Sequence, residues 1–153
     1  MLALHGVRNH GGRYRRLAAD AYPDARVIAP DLRGHGRSGW EPPWDISTHV
    51  ADLVETLDAH GVACPVEVIG HSFGGLLACA LAGHAPGRVR SLILLDPAAG
   101  LDPSVCATAA ATDLHGEGRS ASWGSVDEAR QAWRAVRPRE GQWASARRTW
   151  MRF

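Results

Sequence analysis

The chain has 153 residues, 45% of them apolar and 22% charged, which is enough for one domain with a real core. A formal net charge of +1 gives no reason to expect a nucleic acid partner or an acidic membrane surface. All 17 basic residues are Arg, and the absence of Lys excludes Schiff-base chemistry and a phosphate-loop lysine.

Leu2, Ala3 and Leu4 read as a strand running into His5-Gly6. Residues 13–21 have helical character, with Leu17, Ala18 and Ala21 on one side. Residues 26–29, Arg-Val-Ile-Ala, predict a second strand closed by Pro30 and Asp31. A glycine-punctuated loop follows over residues 31–39, and Pro42 and Pro43 keep the next segment from becoming helix. From Ser47 to His60 the apolar residues Val50, Leu53, Val54 and Leu57 recur at helical spacing. Ser47 or Asp45 caps the start of that helix and Gly61 its end.

A third strand over residues 66–69 runs into a tight Gly-His-Ser-Phe-Gly-Gly turn at residues 70–75. An apolar helix then continues to about His84, stopped by Pro86 and Gly87. In this strand–turn–helix context a G-x-S-x-G pattern lifts the Ser72 hydroxyl clear of the backbone, where a substrate carbonyl can reach it. The turn requires small residues around Ser72, hence Gly70 and Gly74. The N–H of Phe73 opens the helix and points at developing negative charge. The plainer reading is a strand-to-helix turn that happens to hold Ser. Residues 91–95, Ser-Leu-Ile-Leu-Leu, form a fourth strand ending at Asp96-Pro97.

Apolar strands alternating with helices indicate the α/β class, a parallel sheet with helices on both faces. Ligands in such sheets bind at the carboxyl ends of the strands, where His5, Asp31, Ser72 and Asp96 all stand. Beyond Gly100 the strand-like runs vanish and Ala, Arg, Ser and Trp dominate. Residues 126–136 predict a helix with Val126, Ala129, Trp133 and Val136 on one face, and Trp143 and Trp150 share a face of a second. The expected organisation is a core over residues 1–100 and an incomplete helical cap or lid segment over residues 101–153. The Trp stripe reads as packing under a lid, with pocket lining as the alternative. Cys64, Cys79 and Cys106 are scattered without C-x-x-C spacing, so neither a disulfide framework nor a zinc site is indicated. No run reaches a transmembrane length and no basic-then-apolar leader opens the sequence, so no membrane span and a cytoplasmic location are expected.

Four segments, in order, resemble the α/β-hydrolase superfamily, specifically its small esterase, lipase and haloperoxidase-like members with a helical cap. They are the strand ending in His5-Gly6, D-L-R-G-H-G-R-S at residues 31–38, G-H-S-F-G-G at residues 70–75, and L-I-L-L-D-P at residues 92–97. The resemblance spans residues 1 to about 100 and implies a partial core of that fold. It implies that Ser72 is the nucleophile and that the backbone N–H groups of Val7 and Phe73 form the oxyanion hole. Asp96 is a candidate for the acid, ahead of Asp102. His71 is implied to support the shell around the site, His35 to hold the glycine-rich loop, and Asp31 to order it. The implied activity is that of an esterase-type serine hydrolase: acyl transfer from a small apolar ester to Ser72, then to water. It requires no cofactor and no metal. Cofactor-free perhydrolysis and C–C bond hydrolysis use the same constellation.

The sequence also departs from the family. A serine hydroxyl needs an adjacent base oriented by an acid, and in this family the order is Ser, acid, His. No His follows His115, which falls in the cap-like segment. Two strands before His5-Gly6 and two after Leu95 are missing from the pattern, so the sequence resembles the middle of a hydrolase cut at both ends. The expectation is weak activity or none, with a residual effect of about 10³–10⁴ over water. Open sheet edges, one of them the apolar run at residues 92–95, invite self-association. The alternative is a non-catalytic derivative of the scaffold, truncated or recruited for binding. The intact elbow and glycine-rich loop weigh against it, because long-abandoned sites erode.

Overall fold

Side-chain alternation along three short parallel strands divides the core into two layers. A computed structural model describes residues 1–98 and 100, together with 104, 125, 127, 128 and 131. The strands are β1 (Leu2–Leu4), β2 (Val66–His71) and β3 (Val89–Leu95), hydrogen-bonded in the order β1-β2-β3. Leu2 pairs with Val68 and Leu4 with Gly70; on the other side Gly70 pairs with Leu94 and His71 with Leu95. Leu2, Leu4, Val66 and Val68 face α2 (Ile46–Ala59) and α3 (Phe73–His84), where they pack with Leu53, Leu57, Leu77 and Leu81. Ala3 and Ile69 face the opposite side, among Tyr14, Leu17, Val27 and Ile93. Tyr14 and Leu17 come from a 3-10 turn (Gly11–Tyr14) and from α1 (Arg15–Ala21), so helices cover both faces of the sheet, as the apolar strands predict.

The strand expected at residues 26–29 is reduced to one bridge. Ile28 donates to the Met1 carbonyl at 2.9 Å and accepts from Ala3 at 2.8 Å, pairing with Leu2 in parallel. In a parallel ladder alternate residues donate, and the next donor is Pro30, which has no N–H. The pairing still places this segment beside β1, opposite β2.

Both ends of α2 are capped. Asp45, not Ser47, is the N-cap: its carboxylate accepts the Thr48 N–H at 2.8 Å, while Ser47 donates its own hydroxyl to that carboxylate. Gly61, at φ +67°, ends the helix, with its N–H on Asp58 O at 2.8 Å and the Val62 N–H on Leu57 O at 2.9 Å. That pair of bonds is the Schellman pattern, which favours glycine at its left-handed position.

The chain divides into two units, Met1–Leu101 and Asp102–Phe153. In the second, Asp127, Glu128 and Gln131 are helical, and Ser125 Oγ accepts the Glu128 N–H at 3.2 Å. Asp102, Cys106, His115, Trp133, Trp143 and Trp150 lie outside the described residues. Among the described residues, no helix is long and apolar enough to cross a membrane.

Candidate active site

The elbow is built by close backbone approach. Ser72 joins β2 to α3 at φ 52° and ψ −118°, a region that costs a residue other than glycine about 1–3 kcal/mol. Its N–H donates to Leu95 O at 3.0 Å, and its carbonyl accepts from Gly75 at 2.9 Å and from Ala98 at 2.9 Å. A Cβ on Gly70 would lie 2.4 Å from Gly74 O, which is the tight turn the sequence implies. Gly74 is small for a different reason: a Cβ there would lie 2.2 Å from Leu4 O, so the helix seats directly on the β1 backbone. Gly75 is pressed the same way by Pro97, at 2.7 Å. Phe73 is the first residue of α3, and its N–H is among the donors that a helix start leaves without an intrahelical acceptor.

The end of β1 packs onto this elbow. A Cβ on Gly6 would stand 3.1 Å from Ser72 Cβ and 3.0 Å from His71 Nδ1. Val7 follows, 59% exposed, and Arg8 turns the chain at φ 58°. His5 is fully buried rather than on the rim. Its Nε2 accepts the Leu32 N–H at 3.0 Å, so the proton sits on Nδ1, which donates to Gly6 O at 2.8 Å. Burial lowers its pKa, with His35 and His10 acting in the same direction; the Gly6 carbonyl and Asp31 oppose. His5 is therefore neutral near pH 7, with one tautomer fixed by its partners.

The glycine-rich loop is organised by Asp31, in agreement with the sequence reading. Its carboxylate accepts the Gly11 N–H at 2.7 Å and the Arg37 N–H at 2.9 Å. The Arg37 N–H first, then that of Gly11, hold its pKa below the usual carboxylate value. Gly36, at φ +53°, lies so close that a Cβ would meet Asp31 Oδ2 at 2.1 Å. Arg33 clamps the loop to α2 with two bonds to Asp52, at 2.7 and 2.6 Å. His35 donates from Nδ1 to Arg33 O at 3.0 Å and meets the His5 ring edge-on, with centroids 5.0 Å apart.

His49 carries no motif that marks it in the sequence. It is buried on α2, its ring edge-on to Phe73 at 5.2 Å, and burial lowers its pKa. Its signal was present: His49 sits three residues after Ile46 and four before Leu53, on the apolar face.

Asp96 follows β3, exposed, at φ 45°. It neighbours the elbow through the backbone, since the preceding Leu95 carbonyl receives the Ser72 N–H. Among the described residues, His71 Nδ1 is buried without a hydrogen-bond partner. His84 Nδ1 donates to Ala80 O at 2.8 Å at the far end of α3. Among the described residues no imidazole bonds the Ser72 hydroxyl, and no three or more His, Cys, Asp or Glu are grouped to hold a metal.

Residues 1–140 match the model of a family described as alpha/beta hydrolase fold. The chain belongs to this family. Among curated relatives, Lipase LipV of Mycobacterium tuberculosis is 49% identical over 104 residues, covering 68% of this chain and 39% of that protein. Esterase YbfF of Escherichia coli is 34% identical, covering 63% and 37% respectively. Among solved structures, a hydrolase from Pseudomonas aeruginosa superposes with a TM-score of 0.66 at 28% identity, covering 76% of this chain and 44% of that one. Est816, described as an N-acyl homoserine lactone degrading enzyme, superposes with a TM-score of 0.61 at 30% identity, covering 74% and 44%. The chain thus spans about two fifths of the length of the curated relatives it matches.

Proposed function

We propose that residues 1–100 carry the nucleophile half of an esterase- or lipase-type serine hydrolase, with residues 101–153 contributing to a helical cap. The observation that carries this reading is the backbone of Ser72, a residue other than glycine held at φ 52° where glycine would be less strained. Ser72 Oγ attacks the carbonyl carbon of a small apolar ester, its proton passing to a base. The N–H groups of Phe73 and Val7 receive the oxyanion. The leaving alcohol departs with a proton, and water then releases the acid and restores Ser72. No cofactor or metal takes part in these steps. Asp96 is the candidate acid. The base falls to His115 or to an imidazole outside these 153 residues. The names of the relatives, lipases and esterases, support the ester class.

Added imidazole stands in for the base in a test of this reading. The 153-residue chain is expected to hydrolyse p-nitrophenyl butyrate slowly, faster as imidazole is added, and at no more than the solution rate after Ser72→Ala. Turnover independent of Ser72, or none at any imidazole concentration, would overturn the proposal. That result would favour a non-catalytic binding scaffold.

A further inference from the structure

We propose that His5 is a positioning residue of the oxyanion hole: its Nδ1–H holds the Gly6 carbonyl inward and so aims the Val7 N–H outward. This rests on the reading of Val7 as an oxyanion donor. The Gly6 carbonyl and the Val7 N–H belong to one planar trans peptide, in which C=O and N–H point in opposite directions. Fixing the oxygen on a fully buried imidazole at 2.8 Å therefore directs the N–H away from the core, on the side where Val7 is 59% exposed. The bond is needed because Gly6 has no Cβ to restrict its ψ, and the plane would otherwise flip easily. Gly6 itself cannot gain a Cβ cheaply, with His71 Nδ1 at 3.0 Å and Ser72 Cβ at 3.1 Å.

The Leu32 N–H completes the device. By donating to Nε2 at 3.0 Å it fixes the ring and keeps the proton on Nδ1. The glycine-rich loop thereby orients a donor two segments away. A second proton on His5 would set Nε2–H against the Leu32 N–H, donor against donor. The ionisable groups facing His5 are His35 and Asp31 from the loop and His10 from the turn before α1. His35 and His10 oppose that second proton, whereas Asp31 favours it.

Three variants of the full chain separate the two bonds, read by ¹⁵N NMR and by imidazole-assisted ester turnover. Asn reaches as far as the imidazole Nδ1 and Gln as far as Nε2. His5→Ala is expected to displace the Val7 amide resonance and to lower kcat by about 10²-fold with KM little changed, as for loss of one oxyanion donor. His5→Asn restores the Val7 resonance and most of that loss, while His5→Gln restores neither, although all three lower the melting temperature. In the wild type, the Val7 and Leu32 amides shift together as His5 titrates below pH 6.5. An Nε2–H tautomer at neutral pH, or equal displacement of Val7 by Asn and Gln, would overturn the proposal. A wild type that tracks His5 at Val7 but turns over no ester counts against the hydrolase reading alone.

Discussion

Gly74 and Gly83 both lie in α3, yet a methyl group added to each meets different surroundings. Among the described residues nothing lies within 4 Å of a Cβ on Gly83, whereas at Gly74 the Leu4 carbonyl is 2.2 Å away. Gly83→Ala should stabilise the chain by about 0.5–1 kcal/mol through lower entropy of the unfolded state. Gly74→Ala should cost at least about 3 kcal/mol, since the clashing Leu4 and His5 carbonyls are backbone and neither can move aside. Urea unfolding of the two variants measures both, and equal effects would refute the seating of α3 on β1. Ser72 offers a third comparison at this scale. Because Ser72 sits at φ 52°, Ser72→Gly should be more stable than Ser72→Ala by about 1 kcal/mol, although both lack the hydroxyl.

The caps of α2 show how an element was read and where the reading stopped. Helical spacing located the helix to within a residue at each end, and Gly61 marked its stop. The choice between Asp45 and Ser47 needed the side-chain geometry, in which Ser47 serves Asp45. That donor, then the Thr48 N–H and hydroxyl, hold the Asp45 carboxyl down to about 2. An unfolded Asp titrates near about 3.9, so the cap contributes fully above about pH 4 and is lost as pH falls through about 2. Asp45→Ala should therefore lower the melting temperature at pH 7, with the gap to wild type closing in acid. A gap that stays constant from pH 7 to pH 2 would contradict the cap assignment. The strand at residues 26–29 failed for a reason also visible in its letters: Pro30 removes the donor that would have extended the ladder. His49 was legible too, by its spacing from Ile46 and Leu53, but a lone histidine on an apolar face carries no chemical signature without the Phe73 ring beside it.

On the scale of the whole molecule, the sheet order β1-β2-β3 puts the strand that carries the apolar run at residues 92–95 at an edge of the described sheet. Leu94 and Leu95 are 39% and 43% exposed there, and an exposed apolar edge is a template for pairing. Sedimentation of the 153-residue chain should show concentration-dependent association, relieved by Leu94→Lys; a monomer at every concentration would refute this. The fold class and the elbow were legible because each depends on local pattern: short apolar runs, helical spacing, and three glycines around one serine. The wiring between segments was not, because the bonds from His5 to Leu32 and from Asp31 to Gly11 join residues 27 and 20 positions apart.

The glycines of the elbow have a consequence for descent. Gly70, Gly74 and Gly75 are required by carbonyls and a proline that would be there whether or not the protein had a reaction to perform. A descendant relieved of its chemistry would keep all three in order to fold. It would be free to exchange the serine alone, and would gain stability by making that position glycine. The frame of the motif therefore records ancestry, and only its central hydroxyl records current use.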